Sequence, residues 1–147
     1  NKLKMVLPYV SLVQSVDSLR LLEAIQGWAS ANGRKVSVLL EPHVAAEESK
    51  QGFSPKEIYD ILSSADKYPD IAFRGIMGMA TFTDDQTVIR SDFATLRDIF
   101  DKSRLCLPSD YQYFTELSIG MSDDYPIAVE YGSTIVRIGS LIFGERV

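Results

Sequence analysis

The sequence predicts an α/β fold in which a parallel sheet is joined by helical crossovers. Two observations carry that prediction. Five short β-rich segments alternate with stretches of helical period along the 147 residues. No hairpin signal separates any pair of them, so the strands must run parallel and be linked by helices.

Each element can be justified in order. SLVQSV (11–16) is a short β-rich run. Asp17 or Ser18 can cap a helix that continues to Ala31, with Leu21, Leu22, Ile25, Trp28 and Ala29 on one stripe. Asn32-Gly33 terminates it, because glycine carries no Cβ penalty at positive φ. VSVLLEPHVA (36–45) is the second strand, nearly continuous in apolar residues, as a strand covered on both faces should be. After the polar loop AEESKQGF, Ser54-Pro55-Lys56-Glu57 forms a capping box with proline at the first helical position. That helix turns Ile58, Ile61, Leu62 and Ala65 inward. IAFRGIMGMAT (71–81) is the third strand, and a helix over 91–104 presents Phe93, Leu96, Ile99 and Phe100. YFTELSI (113–119) is the fourth strand, Ser122 caps a short helix ending before Gly132, and STIVRIG (133–139) is the fifth strand.

Composition narrows the function. The chain is 46% hydrophobic and 24% charged with a net charge of −5. That suits one globular domain with a sizeable core. No Lys/Arg run exceeds two residues, which argues against a nucleic-acid or anionic-membrane surface. No apolar run approaches a membrane span, and no signal-peptide pattern is present. The single cysteine, Cys106, gives no disulfide framework and fits a cytoplasmic protein. With one histidine, His43, and one cysteine, a metal site has little support. No G-x-S-x-G elbow is present to suggest a hydrolase.

Two architectures satisfy the alternation: a flavodoxin-like open sheet, favoured by chain length, and part of a (β/α)8 barrel. Both place ligands at the carboxyl ends of the strands. There the residues are Ser15 and Asp17; Glu41 and His43; Met77, Gly78, Met79 and Thr81; Ser118, Gly120, Met121 and Ser122; and Arg137, Gly139 and Ser140. The last two groups concentrate small, donor-rich residues. SIGMS and RIGS offer bare backbone N–H groups, hydroxyls and a helix start, the requirements of a phosphate cup. The alternative is that Gly120 and Gly139 only shape turns while Ser122 caps a helix. Asp123 and Asp124 in the same turn repel an anion and must point away from it. Arg137 interrupts a buried strand, where an unpaired charge is costly. It is either ion-paired with Glu116, Glu130 or Glu145, or held as a fixed cation beside an anion or a heteroaromatic ring. Glu41, Glu47 and Glu48 face solvent or pair with Lys50. His43 is expected to be a satisfied strand-end residue and Cys106 an inert one. Met77, Met79 and Met121 are core residues or the walls of a flat apolar slot.

SVDSLRLLEAI, EESKQGF, RGIMGMAT and ELSIGMSDDYPIAVEYGSTIVRIGSLIFG together resemble the YggS/PROSC family of pyridoxal phosphate (PLP) homeostasis proteins, similar to the N-terminal barrel domain of alanine racemase. The resemblance extends over the whole chain. It implies a (β/α)8 TIM barrel of the alanine racemase N-terminal type, with this chain supplying strands four to eight and the N-terminal third missing. In the family a lysine at the end of the first strand holds PLP as a Schiff base, and no lysine here occupies that position. What the resemblance leaves is a half-site: Ser118, Gly120, Met121, Ser122, Gly139 and Ser140 for the phosphate, Arg137 for the pyridine nitrogen, and Met77 along the ring.

A guanidinium does not readily give the ring a proton, and a neutral pyridine is a weak electron sink. Racemases of the related fold use a second base from another domain, which the resemblance does not supply here. The resemblance therefore implies a non-catalytic, cytoplasmic PLP-binding protein that buffers the cofactor or delivers it to PLP-dependent apoenzymes. A PLP-dependent amino-acid racemase is the alternative, and a flavodoxin-like nucleotide- or flavin-binding domain the second. A partial barrel also leaves exposed edges open to self-association.

Overall fold

In the computed structural model, which describes residues 2–48 and 51–147, the chain begins with a single helical turn, α1 (Leu3–Val6). It then alternates β1 (Val13–Val16), α2 (Leu19–Ala31), β2 (Val36–Leu40), α3 (Pro55–Ser63), β3 (Ile71–Met77), α4 (Gln86–Leu105), β4 (Glu116–Met121), α5 (Tyr125–Glu130), β5 (Ile135–Arg137) and α6 (Ser140–Phe143).

Local chemistry sets these boundaries. Ser18 accepts the Leu21 N–H and starts α2. Ser54 and Glu57 close the expected capping box at α3. The α4 helix begins a turn earlier than the sequence pattern indicated, because Asp85 accepts the Thr87 N–H at 2.9 Å and caps it there. β2 ends at Leu40, and Pro42 makes only an isolated bridge to Phe53. β3 ends at Met77, and Thr81 leaves the sheet to bond Asp92 on α4.

All four strand pairs are parallel, and the sheet order is β1-β2-β3-β4-β5. A doubly wound sheet reverses its strand order at a switch point, and this one does not. The sheet also curls. In a flat sheet β1 and β4 would lie about 14 Å apart, three spacings of roughly 4.8 Å. Yet Ser118 on β4 donates to Gln14 on β1 at 2.7 Å. The flavodoxin-like open sheet favoured by chain length is therefore wrong, because consecutive winding and curl together make an arc of a barrel.

The apolar core lies between the outer face of this arc and the helices. It joins Leu22, Ile25 and Ala29 of α2, Ile58 and Leu62 of α3, and Phe93, Leu96 and Phe100 of α4 to Val38, Phe73, Leu117 and Ile119 of the strands. Fully burying one such side chain contributes about 1.5–3 kcal/mol. The inner face differs, since Gln14, Ser118 and Arg137 meet there in one hydrogen-bonded set. Among the described residues no helix is long and apolar enough to cross a membrane.

Candidate functional site

The polar inner face converges on Arg137 at the carboxyl end of β5. Its Nη1 donates to the Ser118 carbonyl at 2.9 Å and to Ser118 Oγ at 2.7 Å, and its Nη2 donates to the Gly78 carbonyl at 2.9 Å. Among the described residues Arg137 makes no ion pair, and two of the carboxylates considered as its partners are engaged elsewhere. Glu116 accepts from Thr134, and Glu130 pairs with Arg90. Arg137 is thus fixed by neutral oxygens, and the ion-pair expectation is corrected. Burial pushes its guanidinium below the ordinary value, while the fields of Glu41 and Asp124 act in the opposite direction. Three of five N–H groups are used, which leaves the Nε proton and one Nη2 proton.

The two small-residue turns touch. Ser122 Oγ accepts the Gly139 N–H at 3.3 Å and the Leu141 N–H at 3.4 Å. With both lone pairs used in these long bonds, its proton remains for an outside acceptor. Ser122 was expected to cap the following helix and does not. That helix begins at Tyr125, with Asp124 in the cap position and no side-chain cap bond. The Asp124 carboxylate instead accepts the Met121 N–H at 2.8 Å and is held by it. The Asp123 and Ser140 N–H groups have no protein acceptor among the described residues.

A cavity of about 980 Å3 opens beside these turns, at the carboxyl ends of β2, β3 and β4. Glu41, His43, Met79, Phe82 and Met121 are among the residues that line it. Its wall is braced by three loop contacts. Thr81 donates its N–H and hydroxyl to Asp92, Ala46 N–H donates to Thr81, and Phe82 N–H donates to Glu47. Glu47 is thus partly accounted for, and its expected pairing with Lys50 lies outside the described residues. Burial and the neighbouring charge of Asp17 raise the Glu41 carboxyl above its ordinary range, with Arg137 pulling it back.

The alanine racemase N-terminal domain family matches residues 1–147. This chain belongs to that family. A pyridoxal phosphate homeostasis protein of Aquifex aeolicus is 35% identical over 147 residues, covering 99% of this chain and 63% of that protein. PipY of Synechococcus elongatus, solved with PLP bound, is 28% identical with a TM-score of 0.83, covering 98% of this chain and 66% of PipY. Alanine racemase from Corynebacterium glutamicum shares the fold at 12% identity and a TM-score of 0.75, covering 99% of this chain and 40% of the racemase. The chain spans about three fifths of the length of the curated relatives it matches. Its five strands are part of the barrel of the alanine racemase N-terminal type.

Within that family fold the expected site residues separate into groups. Ser122, Gly139 and Ser140 sit together at the mouth, with Met121 on the adjoining cavity wall. Ser118 is fully buried, and its hydroxyl serves Arg137 and Gln14 rather than the turn. Gly120 has φ of +102°, and a Cβ there would lie 2.7 Å from the Ala128 Cβ. Its lack of a side chain therefore admits α5, which is a packing reason. Met77 is only 6% exposed, and the methionines on the cavity wall are Met79 and Met121, at 46% and 42%. Gln14 was not among the expected site residues, and its one visible signal in the sequence was a long polar residue inside VQSV. Gly78 was placed at its strand end, but the role of its carbonyl as an acceptor for Arg137 is one that no side-chain motif reports.

Proposed function

We propose that the protein binds pyridoxal 5'-phosphate and serves its homeostasis, buffering the cofactor or handing it to PLP-dependent apoenzymes. The observation that carries this reading is the contact between the two turns. Ser122 Oγ joins the Gly139–Leu141 backbone, with open N–H groups at Asp123 and Ser140 and the Arg137 guanidinium on the same end of the sheet. That donor set fits a phosphate ester attached to a ring with a nitrogen acceptor. The Ser122 hydroxyl and the two N–H groups would bind the phosphate. The unspent protons of Arg137 would face the ring nitrogen, and Met79 and Met121 would flank the ring. The names of the relatives and the PLP bound in PipY support the same ligand.

When bound, PLP supplies an electron sink. Arg137 would weaken that sink, because a guanidinium withholds its proton from a ring nitrogen it faces. We therefore favour a non-catalytic role over racemisation. No lysine among the described residues lies on a strand, so none of them is placed at a strand end to attach the cofactor covalently. The free thiol of Cys106 fits a reducing, cytoplasmic setting. The open edges of β1 and β5 are to be covered by further chain of the same protein or by a second copy.

Titrating the full-length protein with PLP tests the reading. Saturable visible absorbance is expected, and its absence refutes PLP binding. Incubation with L-alanine should leave its optical rotation unchanged. Racemisation would overturn the non-catalytic assignment while leaving the ligand in place. A borohydride-reducible adduct on residues 1–147 alone would overturn the reading that none of these lysines attaches the cofactor.

A further inference from the structure

A side chain linked to Arg137 through Ser118 lies four strands away, on β1. Ser118 Oγ has one proton and two lone pairs. It is fully buried, and Arg137 Nη1 donates to it at 2.7 Å. For that contact to be attractive, the hydroxyl proton must point elsewhere. Gln14 Oε1 on β1 accepts it, also at 2.7 Å. The Arg137 bond is at the short end for N–H···O and the Gln14 bond is at the usual O–H···O distance, and a chain of such bonds polarises each member.

The consequence falls on the protons of Arg137 that remain. Nη1 spends both of its protons on Ser118, and Nη2 spends one on the Gly78 carbonyl. A guanidinium is planar, so fixing Nη1 and Nη2 also fixes the direction of the remaining Nη2 and Nε protons. If the Ser118 hydroxyl were free to turn, its proton would compete with Nη1 and loosen that plane.

We infer that Gln14 is a positioning residue. It locks the Ser118 hydroxyl, which locks Arg137, so that the site accepts a ring nitrogen carrying a lone pair and rejects one carrying a proton or an alkyl group. This rests on the reading that the site takes PLP. It extends that reading by naming the residue that enforces the choice of an unprotonated ring nitrogen. A residue that only tied β1 to β4 would affect stability and leave that choice unchanged.

The test compares PLP with its N-methyl pyridinium analogue, each titrated into the full-length protein. The unmodified protein should bind PLP and discriminate against the analogue. Gln14→Met keeps the length and removes the acceptor, and should weaken PLP by about five- to tenfold, the loss of one buried hydrogen bond. It should narrow the discrimination by a similar factor. Gln14→Glu retains an acceptor and should preserve the discrimination, which guards against a Met variant that merely folds poorly. In an Arg137→Met background, Gln14→Met should change nothing further in the ratio. If Gln14→Met leaves the ratio intact, or acts equally with and without Arg137, the inference is wrong although PLP binding stands. If the unmodified protein binds neither compound, the PLP reading fails first, and this inference fails with it.

Discussion

Replacing Gly120 with alanine separates two explanations for the same small residue. The family resemblance implied Gly120 as a ligand residue, where phosphate approaches bare backbone, while the motif itself also allowed a glycine that only shapes the turn. The structure gives it to α5. Its φ is +102°, and an added Cβ would lie 2.7 Å from the Ala128 Cβ and 3.1 Å from the Tyr125 Cα. The unfavourable φ costs about 1–3 kcal/mol for an L side chain. Forcing the extra carbon against a fully buried Ala128 adds about 1–3 kcal/mol. Gly120→Ala is therefore expected to destabilise by about 2–6 kcal/mol. At about 2–4 °C per kcal/mol, that is a fall in Tm of roughly 4–24 °C. Urea unfolding of the full-length protein, followed by intrinsic fluorescence, measures it. Ala128→Gly removes the atom in the way and costs about 1 kcal/mol alone through helix propensity. The double variant should then be more stable than the sum of the singles by about 1–3 kcal/mol. Strict additivity would refute the clash. Unchanged stability with lost PLP affinity would return Gly120 to the ligand.

Arg137→Lys offers one point charge where three oxygens are now bridged, and PLP titration should show about a tenfold or greater loss of affinity. Glu41→Gln should stabilise near neutral pH. The carboxyl is raised above 4.5 by burial and by Asp17, so the stability it contributes is full below the unfolded value and lost as pH rises through the folded one. The Tm advantage of Gln should therefore appear at about pH 7 and close below about pH 4.5, as thermal melts across that range would show. Ser54→Ala opens the capping box of α3, none of whose residues lines the cavity. It should cost about 1 kcal/mol in urea unfolding while PLP affinity stays unchanged.

The alternation of strands and helices was legible because its signals are local. Ser18 and Ser54 bond to N–H groups three residues on, and apolar stripes repeat within a single helix. The curl of the sheet was not legible, because the contact that reveals it joins residues 104 apart in the chain. A glutamine in a short strand is also what an exposed edge would carry. Chain length then favoured the open sheet, since length does not distinguish a whole small sheet from part of a larger one.

The site was legible as a set of turns, but not residue by residue, for a reason that lies in β4. Side chains on a strand alternate between faces, so a pattern of period two should say which of Ser118, Gly120 and Ser122 share a face. Against β5 the register runs from Ser118↔Ile135 to Met121↔Arg137, three steps on one strand against two on the other. An extra residue of this kind reverses the alternation beyond it. Gly120, at positive φ, sits inside that interval. Ser118 before the irregularity therefore turns to Gln14 and Arg137, while Ser122 beyond it reaches the backbone at Gly139 and Leu141. The same step brings Met121 to the cavity wall while Met77, paired with Ser118 before it, stays buried. One glycine thus divides the serines between two tasks, orienting the cation and closing the turns. Motif spacing reads both serines as phosphate ligands because it assumes that the alternation continues unbroken.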